Sequence, residues 1–165
     1  MLRLKLEDMA QWHHGIATKY FEEPTACTML RYGGSPYTLI IDCTNNSHAK
    51  CGMVETTLNI VFDENKYECA TLWNSLEHHR VIELAAIGVA LLLFPTLVEG
   101  RVTQVCKRGE KLDFYVNGNQ FMLEVAGRTT AGDIFATHNV KVKQARDNPD
   151  EKNFFVFVCS FSERK

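Results

Sequence analysis

The sequence lacks several features that mark common protein classes. No basic start is followed by an apolar run and a small-residue cleavage site, so we expect no secretory signal. The most apolar segment, residues 84–94, is about half as long as a bilayer-spanning helix and predicts a buried helix. The six cysteines include no CxxC pair, and we expect a cytoplasmic protein whose cysteines are reduced.

Cofactor and nucleophile signatures are also missing. No glycine-rich phosphate loop follows a strand, because Gly33-Gly34 is only a turn, and no serine has a nucleophile-elbow context. Cys43, His48 and Cys51 could begin a zinc site, but a fourth ligand at a suitable spacing is missing. An enzyme of small-molecule metabolism is therefore the least favoured function class.

The composition is that of an ordinary globular domain. The chain has 165 residues, of which 45% are hydrophobic and 23% charged, enough apolar material for a full core. The net charge of −2 hides an asymmetry: residues 1–99 carry 7 Lys/Arg and 12 Asp/Glu, whereas residues 100–146 carry 8 and 4. A basic region on an acidic chain suits contact with phosphates, although a solvated charged face is the commoner explanation.

Residues 1–72 read as an N-terminal α+β extension of unknown role. Helical spacing of apolar residues predicts a helix over residues 5–21. Strands rich in β-branched and aromatic residues are predicted at 37–43, 56–62 and 67–72.

The remaining residues, 73–165, predict an alternating α/β core. A helix capped by Asn74 or Ser75 should end near Phe94, because Pro95 follows. A strand at 102–106 precedes a hairpin with strands 111–116 and 120–125, and a helix at 132–147 leads to strand 153–161. That last strand is apolar almost throughout, which favours a central position in a mixed sheet. We therefore expect an α/β fold with a mixed central sheet flanked by helices.

Two carboxylates flank the predicted hairpin turn at Asn117-Gly118. Asp113 and Glu124 lie on adjacent strands, where they can project to the same side of the sheet. Close carboxylates repel each other unless a cation lies between them, and hard oxygen ligands suit Mg²⁺ or Mn²⁺. Glu83, between Ile82 and Leu84, lies close to an apolar helix face and should have a partner.

Four segments together resemble the restriction-endonuclease-like, or PD-(D/E)XK, nuclease superfamily. The likeness is to small bacterial-type proteins with a Gly-x-x-x-Asp-aromatic strand, a Leu-Glu-Val-Ser-Gly strand and a following basic helix, and it covers residues 75–162. The segments are Gly109-Glu110-Lys111-Leu112-Asp113-Phe114, Leu123-Glu124-Val125-Ala126-Gly127, Glu83-Leu84-Ala85-Ala86-Ile87-Gly88 and Lys141-Val142-Lys143-Gln144.

This resemblance implies roles for the site residues. Asp113, Glu124 and the carbonyl of Val125 would bind Mg²⁺ or Mn²⁺, and Glu83 would be an accessory acid. The superfamily's lysine, two residues after the second acid, is replaced here by Ala126. Some branches supply that cation from the following helix, where Lys141 or Lys143 could serve, with Gln144 one helical turn from Lys141.

The function implied by the resemblance is metal-dependent hydrolysis of phosphodiester bonds in DNA. A homodimer would let two copies cut two strands, and the acidic N-terminal half could dock a protein partner; no membrane contact is expected. Residues expected to contact nucleic acid are Lys107, Arg108, Lys111, Arg128 and Lys143.

Simpler explanations remain for each residue. The substitution at Ala126 leaves open a degenerate, non-catalytic subunit that binds protein or nucleic acid. Asp113 could pair with Lys111 or Arg108 at the surface, and Glu83 with Arg80 or His79. Lys141 and Gln144 could occupy an exposed helix face. The four histidines His13, His14, His78 and His79 are expected to be exposed or at the edge of the core, whereas His138 could contact a phosphate.

Overall fold

The computed structural model describes residues 2–42, 56–107, 112–130, 132, 134–147 and 153–162. Within them the chain is an α/β protein with two mixed sheets and five α-helices. The sequence predicted one central sheet, and the described residues form two. The helices are α1 (Met9–Trp12), α2 (Lys19–Tyr32), α3 (Cys69–Ser75), α4 (His78–Leu97) and α5 (Ile134–Arg146).

The first sheet belongs to the N-terminal part of the chain. It contains β1 (Leu2–Lys5), β2 (Tyr37–Ile41) and β3 (Thr56–Val61) in the order β1-β3-β2. β1 runs parallel to β3, and β2 runs antiparallel to it. β2 and β3 fall within the predicted strands at 37–43 and 56–62.

The second sheet carries the hairpin. It contains β4 (Val102–Val105), β5 (Phe114–Val116), β6 (Phe121–Arg128) and β7 (Phe154–Ser160) in the order β4-β5-β6-β7. β4, β5 and β6 are antiparallel, whereas β7 is parallel to β6. Positive φ angles of 52° at Asn117 and 61° at Gly118 form the tight turn that these residues predict.

The position predicted for the last strand was wrong. Among the described residues, β7 is an edge strand of the second sheet rather than a central one. Its near-continuous apolar character has another cause, because β7 contacts both α4 and α5. A strand that is packed between two helices needs apolar residues on both faces, even when only one other strand pairs with it.

Two N-terminal predictions also differ from the structure. The helix predicted over 5–21 is instead β1, a short 3₁₀ turn at Leu6–Asp8, α1 and the start of α2. The interruption lies at Gly15, where a Cβ atom would overlap the Thr103 carbonyl oxygen, so the backbone itself packs against β4. The strand predicted at 67–72 is wrong as well, because helix α3 begins at Cys69.

Helix α4 differs from its prediction at both ends. It begins at His78 rather than after Asn74 or Ser75, and it continues through Pro95 to Leu97. A proline removes the N–H that the carbonyl four residues earlier would accept, here that of Leu91. The His13 ring replaces that donor: Nε2 lies 2.6 Å from the Leu91 carbonyl oxygen.

One hydrophobic core joins the two sheets. Buried apolar residues of β1–β3, α2, α4 and β4–β7 form a single cluster. α2 and α4 pack closely at Gly88, whose hydrogen faces Thr25; the Thr25 hydroxyl donates to Phe21 at 2.6 Å and to Ala85 at 3.2 Å. Among the described residues, α4 alone has the length and apolarity that could cross a bilayer, and 61% of its most hydropathic stretch is buried, as in a core helix.

The expectation that all cysteines are reduced was wrong for one pair. Cys27 on α2 and Cys69 on α3 form a disulfide. Their pairing could not be foreseen because the predicted strand at 67–72 placed Cys69 in the wrong element. Cys106 and Cys159 are not in a disulfide. The candidate zinc residues Cys43, His48 and Cys51 lie outside the described residues.

Candidate active site

The two faces of β6 contact different helices. A Cβ atom on Gly127 would approach the Ile82 carbonyl oxygen to 2.5 Å, so this position faces α4. Positions of the opposite parity face α5: Glu124 pairs with Lys141, and Arg128 Nε lies 2.9 Å from the hydroxyl oxygen of Thr137. Because alternate strand residues share a face, α4 and α5 cover opposite sides of the sheet.

Asp113 and Glu124 lie side by side on the face that α5 covers. Phe114 pairs with Leu123 in the strand register, which sets the preceding residue, Asp113, beside Glu124. The backbone N–H of Val125 donates to Asp113 Oδ2 at 2.8 Å. Each of the two carboxylates also influences the pKa of the other. The structure therefore brings together the two acids that the hairpin pattern singled out.

Lys141 completes this cluster from α5. Its ammonium group forms an ion pair with Glu124 Oε1, and the Glu124 and Lys141 side chains are 4% and 26% exposed. Lys143 is exposed, and Gln144 lies half-buried one turn beyond Lys141. Of the two lysines that could replace the missing strand lysine at Ala126, the structure brings Lys141 to the acids.

Burial makes both carboxylates weaker acids than usual. Desolvation raises the pKa of Asp113, opposed by the Val125 N–H bond and by the charge of Lys141. Desolvation likewise raises the pKa of Glu124, opposed chiefly by its bond to Lys141. Each carboxylate also responds to the charge of a neighbouring acid, Glu83 for Asp113 and Asp113 for Glu124. The cluster therefore gains from any added positive charge.

Glu83 lies at the margin of the cluster. Its side chain is 51% exposed, and Oε2 lies 3.2 Å from a guanidinium nitrogen of Arg80. This is the surface pair that the helix spacing allowed. The charge of Glu83 nevertheless contributes to the raised pKa of Asp113, so the two carboxylates are within electrostatic reach of each other.

The cluster fits a hard divalent cation in part. Two adjacent desolvated carboxylates supply oxygen ligands, and the Val125 carbonyl is directed to the same side of β6 as its N–H, toward Asp113. Among the described residues, no group of three or more His, Cys, Asp or Glu side chains could hold a metal. Mg²⁺ bound by one or two carboxylates retains several waters, so this small ligand set suits it.

The predicted nucleic-acid contacts are distributed unevenly. Arg128 lines a pocket of about 530 Å³ between β6 and α5, and Lys141 lines the same pocket. Lys107 and Lys143 are exposed. Arg108 and Lys111 lie outside the described residues.

Sequence reasoning missed the roles of two residues, one beside the cluster and one in the core. Thr137 is buried and accepts the Arg128 bond, but threonine is too common to stand out. His13 was expected to be exposed or at the core edge and is instead 1% exposed, with Nδ1 3.0 Å from the Val102 nitrogen. Pro95, four residues after Leu91, was the sequence signal for His13. A proline leaves the Leu91 carbonyl without its helical N–H donor, so another group must supply one.

Comparison with protein-family models, with curated proteins and with solved structures gives no match to this chain.

Proposed function

We propose that the protein is a metal-dependent nuclease that hydrolyses phosphodiester bonds in DNA. The observation that carries this proposal is the cluster of Asp113, Glu124 and Lys141, in which two desolvated carboxylates and one ammonium group converge on a single sheet face. Such a combination can hold a cation and a phosphate together.

The frame around the cluster supports the same assignment. From α4 onward the order is helix, three antiparallel strands, helix and a strand parallel to the third. The two helices cover opposite sheet faces. We infer a restriction-endonuclease-like core over residues 73–165, with residues 1–72 as an extension that packs onto it through α2 and α4.

Each residue of the cluster has a task in this chemistry. A bound Mg²⁺ or Mn²⁺ would polarise the scissile phosphate and lower the pKa of an attacking water. Asp113 is held in position by the Val125 N–H. Lys141 opposes the rise that burial causes in the pKa of Glu124, and it can turn to a phosphate oxygen when a cation replaces it beside the carboxylate. Gln144 extends the polar face of α5 by one turn.

Cleavage of linear and circular DNA with Mg²⁺ or Mn²⁺ tests the proposal. We expect wild-type protein to cut DNA and the Asp113→Asn, Glu124→Gln double variant to be inactive, because neutral amides bind a cation weakly. A matched control removes two acids outside the cluster, Asp8 and Glu68. Cleavage that persists in the double variant contradicts the assignment.

A non-catalytic subunit of the same fold is the second candidate. It is favoured by the pairing of Lys141 with Glu124, which neutralises one of the two carboxylates without a metal. Calorimetry separates the two: Mn²⁺ binding that disappears with Glu124→Gln supports the enzyme, whereas no binding by the wild type, with DNA left uncut, supports the subunit.

A further inference from the structure

The pocket beside the acids combines a cationic wall with an apolar wall. Its volume of about 530 Å³ is within the range that small-molecule groups occupy. Arg128 and Lys141 provide the cations, Thr129, Thr130 and Thr137 provide hydroxyls, and Ala136 and Val140 provide the apolar surface. No acid is among its described lining residues.

Arg128 is fixed in orientation within this pocket. Its Nε donates to the Thr137 hydroxyl at 2.9 Å, and a terminal nitrogen donates to the Gly127 carbonyl at 3.4 Å. These two bonds use part of the five N–H donors of a guanidinium group. A planar donor group held in place in this way suits two-pronged binding of a phosphate.

Lys141 connects the pocket to the carboxylates. It lines the pocket and also forms the ion pair with Glu124. A group bound against Arg128 is therefore a direct neighbour of a group bound at the acids. The pocket, and the acids when they hold a cation, are two adjoining sites for phosphate groups. Such a pair of sites matches a chain of linked phosphates better than an isolated anion.

We propose that the pocket holds the nucleotide next to the scissile phosphodiester. Its phosphate contacts Arg128, and its sugar lies against Val140, which is 65% exposed and open to a ligand. This inference rests on the proposed function, since it places the scissile group at Asp113 and Glu124. It adds a substrate contact on one side of the cut.

Binding of a short labelled DNA duplex, measured by fluorescence anisotropy in EDTA, tests the pocket without cleavage. We expect Arg128→Gln to weaken binding about tenfold, as loss of a charged hydrogen bond does. The slope of log Kd against log salt concentration should fall by about 0.9, the value for one phosphate contact. Arg128→Lys should keep the slope, and the control Arg3→Gln, on β1, should change neither quantity.

A second variant covers the case in which Arg128→Gln disturbs folding. Val140→Glu places a carboxylate on the pocket wall at an exposed position and should weaken DNA binding by repulsion. Ile40→Glu is its matched control, because Ile40 is 67% exposed and lies in the other sheet. We expect Ile40→Glu to bind DNA as the wild type does.

The outcomes separate this inference from the proposed function. DNA cleavage with binding that is indifferent to Arg128→Gln and Val140→Glu overturns the pocket and leaves the nuclease. Binding that depends on both residues without any cleavage supports a nucleotide contact in the pocket, but it overturns the nuclease and with it the position next to a scissile group. Absence of DNA binding by the wild type overturns the pocket.

Discussion

At the scale of single residues, the carboxylates of the cluster are held in an environment that opposes their charge. Asp113 and Glu124 are desolvated and adjacent, and one ammonium group, that of Lys141, faces them. Both groups have a raised pKa in the folded protein. Because the folded protein holds these protons more tightly than the unfolded chain does, protonation of the two carboxyl groups favours folding. This contribution to the free energy of unfolding is fully present below the unfolded-state pKa of about 4, and it is lost as the pH rises through the folded-state pKa.

Neutralising Asp113 should therefore stabilise the protein at neutral pH. We expect Asp113→Asn to raise the free energy of unfolding by about 1 kcal/mol at pH 7 and to have little effect near pH 3.5, since the Asn oxygen can still accept the Val125 N–H. Urea unfolding across this pH range measures the difference. A loss of stability at pH 7 would contradict the argument. Added Mn²⁺ should stabilise the wild type more than the variant.

Moving the lysine tests whether Lys141 replaces the missing strand lysine. Lys141→Ala should reduce kcat by about a hundredfold or more, as expected for losing a charge that stabilises a transition state. Ala126 faces the same side of β6 as Glu124, so Ala126→Lys in the Lys141→Ala background should restore part of the activity. Lys19→Ala, on α2, is the control. An unchanged kcat in Lys141→Ala would show that Lys141 does not take the role of the lysine that is missing at position 126.

His13 shows how one side chain can make a helix tolerate proline. Its ring donates to the Leu91 carbonyl and accepts the Val102 N–H, which requires the neutral form. Desolvation lowers the pKa of His13, so its stabilising contribution is present above pH 6.5 and is lost as the pH falls through the folded-state pKa.

Removal of His13 should leave two buried backbone groups without partners. We expect His13→Ala to lower the free energy of unfolding by about 2–5 kcal/mol. His14→Ala is the matched control, because its side chain is exposed. In a Pro95→Ala background, where an N–H can again reach the Leu91 carbonyl, the His13 substitution should be less damaging. Equal losses in both backgrounds would contradict the proposed link between them.

At the scale of elements, the second half of the chain could be predicted and the first half largely could not. Hairpin, helix and strand signals at residues 102–161 are local: alternation, Asn117-Gly118 and an apolar strand. The breaks near Gly15 and at α3 depend on contacts with residues far away in sequence. Asp113 and Glu124 were predictable for the same reason, since the short connection 117–120 pairs Val116 with Phe121 and so sets the register of the hairpin, whereas the Arg128–Thr137 pocket required the docking of α5.

The crossing of α2 and α4 depends on the absence of a side chain at Gly88. An added Cβ would overlap the Thr25 hydroxyl and lie 2.9 Å from the Phe21 carbonyl oxygen. We expect Gly88→Ala to destabilise the protein by about 1–3 kcal/mol, despite the better helix propensity of alanine. Gly132→Ala is the control, because open space surrounds that position. Thermal unfolding measures both; a stabilised Gly88→Ala variant would show that the helices can separate freely.

At the scale of the whole molecule, α3 is joined to the core by a covalent bond. None of its residues is buried, and its disulfide connects Cys69 to the fully buried Cys27 across 42 residues of sequence. The partly buried Trp73 ring packs against the hydrophobic core, and the disulfide adds a covalent link to this contact. Arg31 over the Trp73 ring, at 4.8 Å, adds a weaker contact between the same helices.

Reduction should consequently reduce the stability of the whole fold. A cross-link closing a loop of this length is worth about 4 kcal/mol by the chain-entropy relation. We expect dithiothreitol to lower the unfolding midpoint of the wild type and to leave that of Cys69→Ser unchanged. A wild-type midpoint that is insensitive to the reductant would show that the bond does not contribute in solution.

The separation of the cluster between a hairpin and a later helix has a consequence for biosynthesis. The acids belong to a locally formed turn, but their cationic partner arrives only with α5, after residue 134. A nascent chain that has emerged only as far as β6 carries the carboxylates without Lys141. On the proposed function, the site is complete only after α5 has been synthesised.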